Sequence, residues 1–512
     1  MKPKKVVMPL KKNENQTLTN FQNSHKKYAS WLTQQAVLHP ERPAFFYEEQ
    51  VYTFSELQQI VQSYAHDYQQ KLPENSTIVA VYGKSSPAFI YTVLALWELG
   101  VTVQFLNMRL TESECRVQLL DSQAQALIVT DQKLAVTFAP CVLIQAPKTQ
   151  ELQPVKKEDW FDLGYQTNQV ASIMYTSGTT GKAKGVRQTF GNHQASAIAT
   201  KKSLSLTADD CWLNVMPLYH ISGLSIFLRS LVIGLSVRLL PKYAAEQVHH
   251  WLKTGQVTVV SVVTKMLQDL LILTKESYPA SLKGILLGGG PVRAEVLEKC
   301  LAYQLPVMQS YGMTETCSQI FALPFDYSLA KLGSAGLPLQ DVQCKIEPLN
   351  EKEAIGEILV KGPSITPGYL HGLAKERFDK EGYFHTGDLG YLDEDGFLFV
   401  KSRLEELIIS GGENIYPKEI EDCLSRHPQI QEVAVVGEAN EKWGHVPVAY
   451  LKLATGDFDW SQLDQLLATL AKYKRPQTFY VLSDFPKTAS GKIQKYQLSQ
   501  IERVKVFDAN FQ

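Results

Sequence analysis

Residues 257–310 alternate between two hydrophobic patterns, and this alternation constrains the fold more than any other feature of the chain. VTVVSVV (257–263) is a continuous β-branched run, the pattern of a strand buried on both faces. TKMLQDLLILT follows with helical apolar spacing, then GILL (284–287), a GGGP loop (288–291), a helical VRAEVLEKCLAY, and PVMQS (306–310) leading into YGMTET. Strand, helix, strand, helix, strand predicts a parallel sheet with right-handed crossovers. VASIMYT (170–176) is a further apolar run. Three polar, glycine-bearing loops therefore come directly after predicted strands: 177–185, 288–291 and 311–316. Ligands of doubly wound sheets bind at the carboxyl ends of the strands, so these loops are expected to line one crevice.

The first of these loops lies in MYTSGTTGKAKGVRQT (174–189), which sets hydroxyls, glycines and lysines behind an apolar run. It is not a Walker A loop. That pattern requires Gly five residues before the Gly-Lys pair and Ser or Thr after it, whereas Gly181-Lys182 has Thr176 upstream and Ala183 downstream. A phosphate-binding loop of another kind is implied.

At 512 residues the chain exceeds what a single core usually supports, so several domains are expected. A net charge of -1 gives no electrostatic reason for a nucleic-acid or anionic-membrane partner. Seven scattered cysteines without a CxxC pair argue against a disulfide framework or a zinc site and fit a reducing cytoplasm. The longest apolar stretch, residues 88–106, is broken by Glu98 and Gly100, so no membrane span is expected. Residues 1–25 are lysine-rich, lack a long apolar segment, and are expected to form a flexible tail.

The last 110 or so residues change character. GYFHTGDLGYLDEDGFLFVKSR (382–403) predicts short strands joined at Asp395-Gly396. NIYPKEIEDCLSRHP starts a helix with Pro417 in its first turn. EVAVVGEA (432–439) and PVAYLKLA (447–454) predict strands, and WSQLDQLLATLAKY an amphipathic helix. This is a small α+β unit, with its boundary expected near Arg403.

YTSGTTGKAKGV, YGMTET, YFHTGDLG, SRLEELIISGGENIYPKEIE and PKTASGKIQK occur in that order. Together they resemble the adenylate-forming enzymes: acyl-CoA synthetases, carrier-protein adenylation domains and firefly-type luciferases. The resemblance spans roughly residues 30 to 500. It implies an α/β fold: a large N-terminal domain (26–402) with doubly wound parallel sheets, and a small mobile α+β C-terminal domain (403–512). It also implies chemistry in which ATP activates a carboxylate, giving an acyl-adenylate and diphosphate before a thiol attacks.

Residue by residue, the resemblance implies the following roles. Thr176, Ser177, Gly178, Thr179, Thr180 and Lys184 handle the β- and γ-phosphates, and Glu315 holds magnesium, a hard cation that prefers carboxylate and phosphate oxygens. Thr314 donates to the α-phosphate, Tyr311 and Gly312 lie at the adenine, and Gly288, Gly289 and Gly290 let the backbone approach that base. Asp388 accepts from both ribose hydroxyls. Arg403 contacts ribose or phosphate beside a hinge, where this chain has Glu405 in place of the more usual Asp or Lys. Lys492 brings a cation to the charge that develops as diphosphate departs. Gly411, Gly412 and Glu413 line the pantetheine channel, and Lys474 is a candidate for a coenzyme A phosphate. Expected substrates and cofactors are thus a small carboxylic acid, ATP, Mg2+ and coenzyme A, with homo-oligomerisation compatible with the sequence.

The acyl pocket is expected around MPLYHISGLSIFLRSLVIG (216–234). His220 matches the family's aromatic or histidine position at the pocket entrance. Arg229 interrupts an apolar run, and a buried arginine is costly unless paired. Its partner is either an internal carboxylate or a second carboxylate on the substrate. With Ser222, VVSVVTKML (259–267) and KLGSAGLPL (331–339), the segment is most similar to the o-succinylbenzoate–CoA ligases of menaquinone biosynthesis. In that group an arginine and a serine at these positions bind the ring carboxylate. The alternatives are a ligase for another aromatic or medium-chain acid, a carrier-protein adenylation domain, a luciferase-like oxidase, and an adenylate-binding protein without activity.

Overall fold

The computed structural model describes residues 27–137, 139–176, 183–288, 294–349, 354–372, 377–411, 413–454, 458, 460–476, 478–487, 493–498, 500 and 504–508. They divide into two compact units. One runs to Thr176, then from Ala183 to Gln343 and from Lys361 to Phe378; the other holds Cys344–Val360 and the residues from Asp379 onward. The expected N-terminal tail lies outside the described residues.

Two sheets organise the first unit. One has nine strands, and six of them (307–313, 284–288, 259–263, 211–214, 236–239 and 43–47) run parallel in that spatial order. The expected alternation is present: the strands Val259–Val263 and Gly284–Gly288 are joined by helix Thr264–Leu273, and helix Ala294–Ala302 leads into Val307–Met313. The edges are antiparallel, which the sequence pattern did not indicate. Strand Ser318–Leu323 folds back on 307–313, and Gln50–Thr53 on 43–47. The second sheet has six strands, parallel through 142–145, 126–129, 78–82, 102–105 and 170–176, and closed by the antiparallel strand Lys184–Thr189.

One hydrophobic core serves both sheets, taking Phe45, Trp212 and Val237 from one and Val79, Val103 and Ala171 from the other. The apolar stretch 88–106 splits into helix Pro87–Glu98 and strand Thr102–Phe105. The helix starts at Ser86, whose hydroxyl accepts from Phe89 N, with Pro87 in its first turn. Buried Trp97 donates from its indole to Ala171 O at 2.9 Å, tying this helix to strand 170–176. No helix among the described residues is long and apolar enough to cross a membrane.

The second unit has two sheets of its own. Four antiparallel strands, Gln343–Pro348, Gly356–Lys361, Phe384–Leu392 and Leu398–Arg403, form the first. The turn at Asp395-Gly396 forms as expected, with Gly396 at φ 81. The other sheet is built on the long hairpin Ile430–Asn440 with Gly444–Leu453, beside helices Pro417–Leu424 and Trp460–Leu467. All seven cysteines are free.

The residue that breaks the apolar stretch has an energetic consequence. Glu98 is 2% exposed, and its Oε2 has no hydrogen-bond partner. Burial, reinforced by the charge of Asp162 and opposed by a hydrogen bond with Ser30, pushes its carboxyl up to about 7. As pH rises from about 4.5 to 7, the unfolded chain releases this proton while the native chain keeps it, so native stability falls across that window. Glu98→Gln should therefore stabilise the protein at pH 8 by on the order of 3 kcal/mol and leave it nearly unchanged at pH 4. Thermal midpoints of the two proteins across that range would measure this; a gain independent of pH would contradict the protonation argument.

Candidate active site

The phosphate-loop candidate joins the two strands of a hairpin. Strand Val170–Thr176 and strand Lys184–Thr189 are antiparallel, with Thr176 opposite Lys184. Both ends of the loop are thus fixed one strand spacing apart, and the segment does not open a helix as a Walker loop does. Ser177, Gly178, Thr179 and Thr180 lie outside the described residues.

Behind this hairpin a hydrogen-bond chain runs through the interior. Ser172 and Gln188 are cross-strand partners, and Ser172 Oγ donates to Gln188 Oε1 at 2.7 Å. The single hydroxyl hydrogen is then used, so His193 Nε2, 2.8 Å from Ser172 Oγ, carries its own hydrogen and donates it. Burial pushes the His193 imidazole down to about 3, which keeps it neutral. At the far end Gln188 Nε2 donates to the Thr314 carbonyl at 2.7 Å. The return strand of the phosphate hairpin is thereby bonded to the turn that carries Thr314 and Glu315.

That turn is more ordered than the loop expected at 311–316. Tyr311–Met313 continue the strand, because the antiparallel strand 318–323 offers them partners, and only Thr314–Thr316 form a short 3-10 turn. Gly312 is required by this return: a Cβ there would lie 2.1 Å from Ser318 O. Glu315 is buried, its Oε1 accepts from Tyr369 Oη at 2.9 Å, and its backbone carbonyl accepts from Thr366 N at 2.7 Å. Lys184 Nζ stands 5.7 Å from the centroid of the same Tyr369 ring. Tyr369, which the sequence did not single out, links the predicted metal-holding carboxylate to the predicted phosphate-binding lysine. Gly288 ends its strand, and a Cβ there would make only an ordinary 3.8 Å contact with Ser310 Oγ. Gly289 and Gly290 lie outside the described residues.

The acyl-pocket candidates fall on one helix, Ile221–Ile233, immediately preceded by His220. His220 is half-buried against Tyr219, ring centroids 4.9 Å apart. Ser222, Ser225 and Arg229 are spaced i, i+3, i+7 and share a face. The spacing of this polar stripe is visible in the sequence, and Ser225 is its one member that the resemblance does not mark. Arg229 is 1% exposed, and no salt bridge or internal carboxylate partner is found for it among the described residues. Its guanidinium carbon lies 4.6 Å from the Trp212 ring centroid, and its Nη2 donates to Ser318 Oγ and Gln319 Oε1, each at 3.1 Å. Its Nε has no partner, and burial pushes its pKa down to about 9, leaving it charged at neutral pH.

In the second unit Asp388 and Arg403 face each other across adjacent strands, and Arg403 Nε donates to Asp388 Oδ1 at 2.8 Å. The aspartate backbone N–H donates to Thr386 Oγ1 at 3.0 Å. Glu357 braces the same segment, receiving Gly387 N at 2.9 Å and pairing with His385 Nδ1 at 2.9 Å. Gly411 has φ 58, and a Cβ there would approach Trp443 Cε3 to 2.7 Å, so glycine is required on both counts. Lys474, a candidate for a phosphate contact, is ion-paired with Glu419 at 2.8 Å. Gly412 and Lys492 lie outside the described residues. Three positions after Lys492, Lys495 is paired with Glu421 at 2.8 Å and with Glu406 at 2.5 Å. Burial lowers its pKa, but the two carboxylates outweigh that and raise it.

An AMP-binding enzyme family matches residues 32–370, and an AMP-binding enzyme C-terminal domain matches residues 419–492. A 2-succinylbenzoate–CoA ligase of Enterococcus faecalis is 46% identical, over 93% of this chain and 99% of the relative. Among solved structures, the o-succinylbenzoate CoA synthetase of Bacillus subtilis in complex with its acyl-adenylate intermediate superposes with a TM-score of 0.88 at 39% identity. It covers 94% of this chain and 100% of its own. The same synthetase in complex with ATP and magnesium ion gives a TM-score of 0.86, covering 93% and 100% of the two chains at 39% identity.

The Gln188 chain makes a specific demand on stability. Gln188→Leu would leave the Ser172 hydroxyl without its acceptor and the Thr314 carbonyl without its donor. A loss of about 1–3 kcal/mol is expected. Urea unfolding of the variant would measure it, and an unchanged midpoint would show that these groups find other partners.

Proposed function

Because the chain belongs to the AMP-binding enzyme family, we propose that it activates 2-succinylbenzoate with ATP and transfers the acyl group to coenzyme A. It is an AMP-forming acid–thiol ligase. An oxygen of the succinyl carboxylate attacks the α-phosphorus of ATP, and the bond to diphosphate breaks. The coenzyme A thiolate then attacks the acyl carbon of the adenylate, and AMP leaves. The net reaction is 2-succinylbenzoate, ATP and coenzyme A to 2-succinylbenzoyl-CoA, AMP and diphosphate, a step of menaquinone biosynthesis.

The observation that carries the choice of acid is Arg229. A guanidinium buried this fully, cradled by neutral oxygens and without a carboxylate partner among the described residues, fits a substrate that brings one. The substrate has two carboxylates, one activated and one on the ring, and we assign the ring carboxylate to Arg229 and Ser222, with His220 at the pocket entrance.

The residues present also fit a magnesium-bound nucleotide. Glu315 Oε1 is occupied by Tyr369, while Oε2 forms no hydrogen bond among the described residues and is a hard oxygen suited to magnesium. When bound, the ion offsets charge on the phosphates. We assign Thr176, Ser177, Gly178, Thr179, Thr180 and Lys184 to the leaving diphosphate and Thr314 to the α-phosphate. Tyr311, Gly312 and Gly288–Gly290 are assigned to the adenine. Asp388 is assigned to the ribose, with Arg403 and Thr386 fixing its orientation. Lys492 is assigned the adenylation charge, supported by its Ser-Gly-Lys context. Gly411, Gly412 and Lys474 are assigned to coenzyme A, and Lys474 would exchange Glu419 for a phosphate. We further propose a mobile C-terminal domain beginning near Arg403 and a cytoplasmic location, supported by seven free cysteines. The near-zero net charge supports the absence of a nucleic-acid partner, and homo-oligomerisation is compatible with this assignment.

Diphosphate release across a panel of carboxylic acids, with and without coenzyme A, tests the reading. 2-Succinylbenzoate should give the fastest release, with coenzyme A needed for sustained turnover; a preference for another aromatic or medium-chain acid would replace it as substrate. Lys492→Ala should abolish adenylate formation yet spare thioester formation from supplied acyl-adenylate, and equal loss of both half-reactions would refute its role. Arg229→Ala should raise the KM for 2-succinylbenzoate by about ten- to a hundredfold, the value of a charge-assisted hydrogen bond, with the KM for ATP nearly unchanged.

A further inference from the structure

We propose that Gln319 and Ser318 are positioning residues that set acid selectivity, holding Arg229 with neutral oxygens so that its charge remains available to a carboxylate of the substrate. The inference rests on the assignment of Arg229 to the ring carboxylate and goes beyond it, because neither residue is required to touch the substrate.

The direction of every hydrogen bond around the guanidinium follows from the contacts. Thr200 Oγ1 donates to Ser196 O at 2.9 Å, so toward Gln319 it can only accept. Gln319 Nε2 donates to it at 3.1 Å, which fixes the amide and turns Oε1 toward Arg229. Ser318 Oγ gives its one hydrogen to the same Oε1 at 2.8 Å and keeps lone pairs for Arg229 Nη2. Ser225 Oγ, one helical turn before Arg229, lies 3.4 Å from Ser318 Oγ. The guanidinium is thus held through one nitrogen by an amide and a hydroxyl and through its face by Trp212, with Nε unpartnered.

Two features show that this arrangement is constrained. Ser318 has φ 117 and follows Cys317 at φ 54, consecutive non-glycine residues in backbone regions that side chains rarely adopt. That conformation places the Ser318 hydroxyl at Arg229. Second, Gln319 is the isostere of glutamate, which would satisfy a buried arginine far better. An acid there would form an internal ion pair and compete with the substrate for the same cation. Glutamine gives the same reach without the charge.

The test compares 2-succinylbenzoate with 3-benzoylpropionate, which lacks the ring carboxylate, as a ratio of kcat/KM for the two acids. Gln319→Glu should lower that ratio on the order of a hundredfold, the loss of a charge-assisted bond, while its thermal midpoint stays level or rises. Gln319→Leu and Ser318→Ala, which remove an acceptor without supplying a charge, should each lower the ratio about three- to tenfold. A merely structural role would reduce both acids together and lower the midpoint. An unchanged ratio in Gln319→Glu, or in Gln319→Leu and Ser318→Ala should the glutamate variant fail to fold, overturns the inference. Arg229→Gln separates the two levels. If it too leaves the ratio unchanged, the assignment of Arg229 itself is wrong; if it collapses the ratio while the Gln319 and Ser318 variants do not, only their positioning role fails.

Discussion

Taking a guanidinium out of water costs several kcal/mol, and the first unit meets that cost at Arg229 without a counter-charge among the described residues. Helix 221–233 is apolar on most of its circumference, so Arg229 cannot reach solvent along it. Its neighbours are instead an indole face, an amide oxygen and a hydroxyl, each worth a fraction of an ion pair. The balance leaves the cation under-compensated, with its pKa drawn down toward about 9. On the assignment of Arg229 to the ring carboxylate, a substrate entering this site would complete a pairing that folding left open, and the selectivity we propose is tied to a stability deficit in the free protein. This is the exchange expected where a site is organised for a ligand in preference to itself.

The same logic of fixed acceptors governs the proposed nucleotide end of the first unit. Gln188 has no role in any motif, yet its side chain bonds the return strand of the hairpin directly to the turn bearing Thr314 and Glu315. Its orientation is set from behind by Ser172 and by a histidine that burial keeps neutral. A charged His193 would demand an acceptor for Nδ1, which has no hydrogen-bond partner among the described residues. Tyr369 complements this from the other side by holding one oxygen of Glu315. Two elements that we assign to adjacent phosphates are thereby held in register, which is how preorganised electrostatics avoids reorganisation during a reaction.

Which parts of this were legible depends on whether the cause was local. The β-branched runs and the helical spacing between them are local, and the parallel centre of the nine-stranded sheet follows from them. Arg229 was legible because one charge in an apolar helix is anomalous whatever surrounds it. Its partners were not: Ser318 and Gln319 lie about ninety residues downstream, on a strand whose antiparallel return leaves no signal in the parallel pattern. Tyr369 reaches Glu315 across 54 residues, and Gln188 reaches Thr314 across 126. Lys474 read as an available charge because Glu419, 55 residues away, is invisible to any local window.

The turn at Cys317-Ser318 shows why such information is hard to extract even when the residues are known. Consecutive non-glycine residues at φ 54 and φ 117 would be assigned glycine by any local rule, and strain there is on the order of 1–3 kcal/mol per residue. Glycine would relieve it but would remove the hydroxyl that faces Arg229. Thr316 supports the turn from within, donating to Ser318 O at 2.6 Å and accepting from Met313 N at 2.8 Å. The sequence carries serine where conformation favours glycine because the side chain, not the backbone, is what the site uses. A residue that contradicts its local preference is therefore a stronger pointer to function than one that agrees with it.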